Sequence, residues 1–282
     1  MRQKNESSNN MKKEANWLLG LAGTLLLASG VQAESSNTDL AKAAQNPVAD
    51  LISLPFQNNT SPDWGVNGDW QNTLNIQPVW PVKLNDDWNV ITRTIVPVVS
   101  QPARVNPDEG RETGLGNSTF TAFFSPAAAG KVIWGVGPIV YIPTATDDRL
   151  GGDSWGAGAS VLALTMPGQW VVGALISQVW DIGSASEPND EVDLFTFQPI
   201  INYNLADGWY LTSVSIITRD GTAESGEEWL VPLGGGAGKV FRVGRQPMNF
   251  NAQLFYNVIR PEEPVDVGRW SFRLQLQFMF PK

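Results

Sequence analysis

Residues 270–280 read WSFRLQLQFMF, and they alternate large apolar side chains with side chains that are mostly polar. Successive side chains of a β-strand point to opposite faces, so this period of two predicts a strand with one apolar and one polar face. The same alternation runs from Asn249 to Val258 and from Phe195 to Leu205. Each run lasts about ten residues, as in strands that cross a membrane, whereas strands of soluble sheets average about five or six.

From Leu51 onward the chain repeats such runs, separated by Gly, Pro and Asp, with nothing of helical period. The connections alternate between short and long, as the periplasmic turns and external loops of outer-membrane barrels do. The short ones are 85–87, 126–130, 167–168, 206–208 and 245–247, and the long ones are 59–69, 100–114, 144–154, 181–191, 219–228 and 259–268. These connections predict an all-β chain forming a transmembrane, outer-membrane antiparallel β-barrel of about twelve strands, with both termini on the short-turn side.

Two conditions attach to this strand count. Residues Leu51 to Asn58 must form a strand, and Trp229 to Val243 must cross Gly234-Gly235-Gly236 as one bent strand. The facing of side chains stays open in residues 155–164, 170–180 and 209–218, because both faces of those runs are apolar or small.

Tryptophan recurs at the ends of the runs. Aromatic girdles lie at both membrane interfaces of a transmembrane barrel, so this placement favours a lipid environment over a soluble sandwich. The residues concerned are Trp70, Trp88, Trp155, Trp170, Trp180, Trp209, Trp229 and Trp270.

The composition of the 282 residues excludes several classes of function. There is no Cys and no His, which excludes disulfides, thiol catalysis, His-dependent hydrolysis and His-ligated or Cys-ligated metals. A net charge of −9 leaves no basic face for nucleic acid. We therefore expect no enzyme, no cofactor and no nucleic-acid partner.

The first residues predict export to the cell envelope. Residues 1–33 carry Lys12 and Lys13, then an apolar stretch from Trp17 to Ala28, then small residues at Val31 and Ala33. This is the pattern of a signal peptide cleaved after Ala33. Residues 34–47 are expected to form a periplasmic stub or short helix, a frayed terminus being favoured over a plug that enters the lumen, and residues 48–282 are expected to form the barrel.

Several motifs, in this order along residues 50–282, resemble a bacterial outer-membrane family. Its members are labelled MetA-pathway of phenol degradation proteins or neuromedin U-type transporter proteins. The motifs are Leu74 to Pro78, Gly114 to Asn117, Phe124 to Pro126, Pro143 to Thr146, Gln198 to Leu205, Gly208 to Tyr210, Val231 to Gly236 and Phe278 to Lys282. The resemblance implies an outer-membrane barrel related to transporters of hydrophobic compounds, and it carries over no catalytic residue.

Charged residues divide between loops and strands. The long loops are strongly acidic, and Asp147, Asp148 and Asp153 form the best candidate cluster for a cation, although no metal site is expected. Basic residues lie within strands, and they should point into the lumen because a charge facing lipid is costly. The predicted lumen and selectivity residues are Arg93, Lys239, Arg242, Arg273, Gln198, Asn202, Gln253 and Gln275.

These observations predict a passive transporter or channel for small compounds that are hydrophobic or aromatic and, given the basic lumen, anionic. The alternative is a structural or surface-interaction barrel without transport activity. The expected partners are outer-membrane lipid, the barrel-assembly machinery of a Gram-negative cell and a small-molecule substrate.

Overall fold

The computed structural model describes residues 36–128, 130–184 and 191–281. The predicted signal peptide with its cleavage site at Ala33 lies outside the described residues. In the part that is described, no helix is both long enough and apolar enough to cross a membrane.

The architecture is a closed barrel of twelve antiparallel strands, as the sequence predicted. A short helix, α1 (Asn37–Ala44), precedes the strands, and a 3-10 turn, Ala206–Gly208, joins β8 to β9. The strands are β1 Ile52–Trp64, β2 Asp69–Ile76 with Val79–Lys83, β3 Trp88–Gln101, β4 Glu112–Leu115 with Ser118–Pro126, β5 Val132–Ile142, β6 Ser154–Thr165, β7 Trp170–Ser184, β8 Asp193–Asn204, β9 Trp209–Ser213 with Ile217–Asp220, β10 Trp229–Val243, β11 Gln246–Ile259 and β12 Trp270–Phe280.

The barrel closes between its first and last strands. Residues of β1 pair antiparallel with β12, for example Leu54 with Phe278, so neither strand is left with an open edge. Strand β10 runs unbroken through Gly234-Gly235-Gly236 and pairs with β11 along its length, which confirms the single bent strand. Glycine is needed at Gly236, where a Cβ atom would lie 1.8 Å from the backbone oxygen of Ala252.

The outer surface is that of a protein in a membrane. Leu254, Leu274, Leu211 and Leu233 are exposed on the outside of the strands, although each is large and apolar. Every tryptophan predicted for the girdles is exposed as well. They form two belts: Trp88, Trp170 and Trp209 begin strands at the short-turn end, whereas Trp70, Trp155, Trp180, Trp229 and Trp270 lie toward the long-loop end.

Neighbouring strands pair their aromatic rings within these belts. The rings of Trp170 and Tyr203 lie 4.8 Å apart at the short-turn end, and those of Tyr256 and Trp270 lie 5.0 Å apart at the other end. Such pairs add to the preference of aromatic rings for the headgroup region. The fold is thus that of an outer-membrane β-barrel.

The first long connection is shorter than predicted. Strand β1 continues to Trp64, so the loop expected over residues 59–69 is only the turn 65–68, with Gly65 and Gly68 at positive φ. The polar residues that suggested a loop pair with β2 instead, and Asn72 Nδ2 donates to Thr60 Oγ1 at 2.7 Å. Polar strand residues and polar loop residues give the same sequence signal, which explains the error.

The facing of β12 can be tested at Leu274, which is half exposed on the outer face near the middle of the strand. We expect Leu274→Arg to lower the free energy of unfolding by about 2–4 kcal/mol, because it places a charge against lipid near the midplane. Denaturant titration in phospholipid vesicles measures this change. Leu274→Ala, which loses only apolar area, is the control, and an equal loss in both variants would mean that this face does not meet lipid.

Candidate functional site

The lumen is divided into an apolar side and a polar side. The apolar side is a cluster of buried side chains from β3 to β8, and Val48 from the segment after α1 joins it. The cluster consists of Val48, Ile91, Phe123, Leu162, Leu164, Val171, Leu175 and Ile200. The cluster also shows which side chains point inward in residues 155–164 and 170–180, a question that the sequence left open: the large inward side chains there are apolar.

The polar side is a ladder of amides on β11 and β12. Gln253 Nε2 donates to Asn251 Oδ1 at 3.0 Å, and Asn249 Nδ2 donates to Gln277 Oε1 at 3.1 Å. The hydroxyl of Tyr210 on β9 donates to Asn249 Oδ1 at 2.7 Å. Buried amides are stable when they are paired in this way, so the ladder gives the lumen a fixed polar wall.

A cavity of about 140 Å³ lies between the two sides of the lumen. Residues from β1, β2, β3, β8, β9, β11 and β12 line it, together with residues 43–51. Six of the eight residues predicted from the sequence stand on its wall: Arg93, Arg273, Gln198, Asn202, Gln253 and Gln275.

The floor of the cavity is formed by residues 43–51, from the last turn of α1 onward, and it lies at the short-turn end of the barrel. We call these residues the floor segment. Leu40 and Ala41 of α1 are buried against Tyr210, Val240 and Met279 of the barrel. The frayed terminus favoured by the sequence is therefore wrong: the apolar face of α1 is small, but its residues Leu40 and Ala41 are buried against the inner wall of the barrel.

Side-chain hydrogen bonds join α1 and the floor segment to the barrel. Lys42 Nζ donates to the backbone oxygen of Gly168 at 2.8 Å, and Gln45 Nε2 donates to Asn204 Oδ1 at 2.9 Å. Both acceptors belong to the short-turn end, at the start of β7 and the end of β8. The packing of Leu40, Ala41 and Leu51 against the barrel adds to these hydrogen bonds.

The wall beside the cavity is interrupted at residues 214–216 of β9. The segments of β9 before and after the interruption pair with β8 in the same register, and they also pair with β10 in the same register. Continuing these registers across residues 214–216 places Pro199 of β8 and Pro232 of β10 beside the interruption. Neither proline has an N–H for a ladder hydrogen bond, which weakens the pairing at this level.

Side chains from across the lumen replace the missing ladder bonds. Arg273 Nη1 donates to the backbone oxygen of Val214 at 2.6 Å, and the backbone N–H of Val214 donates to Gln253 Oε1 at 3.2 Å. Arg273 Nε also donates to Asn59 Oδ1 at 2.9 Å, and its guanidinium lies 4.9 Å from the ring centre of Phe255. Arg273 is therefore a brace for the barrel wall.

Arg93 is held more lightly. Its Nη2 donates a hydrogen bond to Gln77 Oε1 at 2.7 Å. Arg93 pairs across the sheet with Val79 on one side and Thr121 on the other, and it stands two residues from the buried Ile91 on the same face of β3. It therefore lies where the apolar and polar sides of the lumen meet.

Lys239 and Arg242 do not line the cavity. Lys239 pairs with the outward Trp209 and Phe250, and its ammonium lies 4.8 Å from the ring centre of Trp209. The prediction that it enters the lumen is wrong, because near the short-turn end its long side chain reaches the interface from the outer face. Arg242 shares the inner face with Val240, one residue before the end of β10, away from the cavity wall.

The acidic loop cluster is organised by ion pairs. Arg149 bonds the carboxylates of Asp147 and Glu112, and its side-chain and backbone hydrogen bonds hold the pKa of Asp147 below the ordinary value. Within the described residues, no three acidic side chains are grouped as a metal site, at Asp147, Asp148 and Asp153 or elsewhere.

The chain matches no protein-family model, and no curated protein matches its sequence. Its fold is similar to that of the COG4313 outer membrane channel from Pseudomonas putida F1, at 17% identity and a TM-score of 0.63, over 83% of this chain and 97% of that one. More distant likenesses are outer membrane phospholipase A from Escherichia coli (12%, TM-score 0.45, 88% and 99%) and the P. putida toluene transporter TodX (8%, 0.37, 88% and 93%). At such identities the first likeness shows the barrel fold alone.

Proposed function

We propose that this barrel is a passive channel or transporter that carries small compounds across the outer membrane. The observation that supports the proposal best is the cavity inside a closed membrane barrel, with an apolar cluster on one side and amides on the other. Twelve strands lie between the filled lumen of about eight strands and the wide water channel of about sixteen. A narrow and selective path fits this intermediate size.

The lining favours solutes that are partly apolar. Val79, Ile200 and Val214 border the cavity; Ile200 belongs to the apolar cluster, and the two valines pack against it. A hydrated inorganic ion gains nothing from such surface, whereas a hydrocarbon or aromatic group does. Hydrophobic or aromatic compounds are therefore the solutes that we assign to this path, with Arg93 and Arg273 as candidate selectivity residues.

An enzymatic role finds no support in the same wall. The chain has no His and no Cys, and the cavity lining contains no carboxylate. Neither a nucleophile with an imidazole base nor a pair of acidic residues is present among the described residues that line the cavity.

The proposal is tested by single-channel recording of the barrel, purified from outer membranes, in a planar bilayer. We expect small, discrete conductance steps, with a reversal potential in a salt gradient that shows anion preference. Heat-modifiable electrophoretic mobility serves as the control for a folded barrel. A folded protein that gives no steps and admits no small aromatic solute into liposomes would instead favour a structural or surface-interaction barrel.

A further inference from the structure

The described residues that line the cavity include two positively charged side chains and no acidic one. Arg93 and Arg273 are on its wall, and the rest of the lining is apolar or uncharged. No ion pair joins either arginine to an acidic residue in the described part of the chain. This occurs in a chain with 28 acidic residues and a net charge of −9, so the acids are concentrated elsewhere.

The two arginines differ in what they can still bind. Arg273 donates to Asn59 and Val214 and lies over the ring of Phe255, so its place is fixed by the wall. Arg93 donates to Gln77 through one nitrogen. A guanidinium has five N–H donors, and a planar pair of them matches a carboxylate. Arg93 is therefore the better anchor for an anion.

The surroundings of Arg93 specify the rest of the ligand. Val79 lies directly across from it on β2, and Ile200 and Val214 add apolar surface to the same cavity. The volume of about 140 Å³ compares with the roughly 150 Å³ of an apolar protein cavity that holds benzene. A single aromatic ring fits a space of this size.

We propose that the cavity binds a monocarboxylate with one aromatic ring, its carboxylate on the guanidinium of Arg93 and its ring against Val79, Ile200 and Val214. The inference rests on the proposed function, because it names the class of solute that occupies the same path. The neutral amides of Gln77 and Gln198 complete the polar end of the site. Glutamine amides hydrogen-bond an anion without adding a competing negative charge.

Benzoate is the probe that tests this site, by calorimetric titration of the barrel purified in detergent. Benzyl alcohol has the ring without the charge, and acetate has the charge without the ring. We expect benzoate to bind at one site, and we expect both comparison compounds to bind at least about tenfold more weakly, since each lacks one of the two interactions.

Arg93→Gln should weaken benzoate binding by about tenfold or more, because it removes the charged donor and keeps a polar side chain beside Gln77. Lys239→Gln is the matched control: it removes one positive charge from the outer face, and we expect unchanged affinity. Both variants must retain heat-modifiable mobility; if Arg93→Gln fails to fold, Arg93→Lys, which keeps the charge but loses the planar fork, takes its place and should still weaken binding.

Equal affinity for benzoate and benzyl alcohol, or an Arg93→Gln barrel that binds benzoate normally, would overturn the carboxylate site. Displacement of benzoate by inorganic phosphate at equal concentration would also overturn it, since the site would then recognise charge alone. Failure of the proposed function looks different. A barrel that binds benzoate and yet shows neither conductance nor uptake would retain the site and lose the transport role.

Discussion

Cross-linking residue 45 to residue 204 is expected to close the barrel to solutes. The variant Gln45→Cys/Asn204→Cys replaces two side chains that are hydrogen-bonded at 2.9 Å, one on the segment that forms the cavity floor and one at the end of β8. A short bifunctional thiosulfonate reagent can span this pair. With the floor tied to the wall, conductance and solute uptake should fall to the level of a bilayer or liposome without protein.

The physical reason is that the floor segment stands between the cavity and the short-turn end. Its residues 43–47, with Ala49 and Leu51, line the cavity from that side. Any solute that passes along the lumen must displace or bypass them. The hydrogen bonds and apolar packing that hold the wild-type segment are non-covalent and can open reversibly, whereas a covalent link removes that freedom.

The chain suits this experiment because it contains no cysteine, so only the two introduced thiols react. Adding a reductant cleaves the link and should restore the original conductance in the same membrane. Each single-cysteine variant, treated with the same reagent, serves as the control for modification without cross-linking. Normal conductance in a fully cross-linked sample would show that solutes do not pass the floor segment.

The barrel itself could be predicted from sequence because its signals repeat. Alternation over about ten residues, tryptophan at strand ends and the parity of turns and loops all depend on local sequence. The same alternation of short and long connections predicts that residues 234–236 lie within a strand, since a turn at these glycines would add a thirteenth strand and place the C-terminus on the long-loop side. The structure shows one continuous strand at that position.

The interior could be predicted only in part. Arg273 lies in a clear alternation, and the structure places it inside; Lys239 follows glycines at 234–236 and 238, where no pattern indicates the inner face. The polar residues of the cavity wall lie in strands that alternate polar with apolar side chains, so the inner face of those strands can be recognised in the sequence. The inner face of the strands on the apolar side of the lumen cannot be recognised in this way, because both faces of those strands carry apolar or small residues.

The floor segment was missed for a different reason. A helix of eight residues with Leu40 and Ala41 on one side has too little apolar surface to indicate a core. Its partners are Tyr210, Val240 and Met279, which lie far away in the chain on separate strands. Only closure of the barrel brings these three side chains to one place. One argument could have predicted that α1 packs inside the barrel: a short helix with an apolar face beside a membrane barrel has no other apolar surface to cover that face.

Deleting residues 37–50 is expected to produce the opposite effect to cross-linking. The deletion removes α1 and most of the cavity floor while leaving all twelve strands in place. Conductance should rise several-fold, because the short-turn end of the lumen is then open. Single-channel recording and liposome uptake measure the change.

The deletion also has a predictable cost in stability. Leu40 is 3% exposed, and the loss of one fully buried leucine costs about 1.5–3 kcal/mol. The barrel should nevertheless persist, because the hydrogen-bonded ladder between β1 and β12 that closes it does not involve residues 37–50. Heat-modifiable mobility checks this point.

Leu40→Ala is the graded comparison. It weakens the packing of α1 without removing the helix, and we expect a conductance between that of the wild type and that of the deletion. If the deleted barrel is folded and conducts no better than the wild type, the floor segment does not limit passage and the constriction must lie elsewhere, with the brace of Arg273 on Val214 as the next element to release.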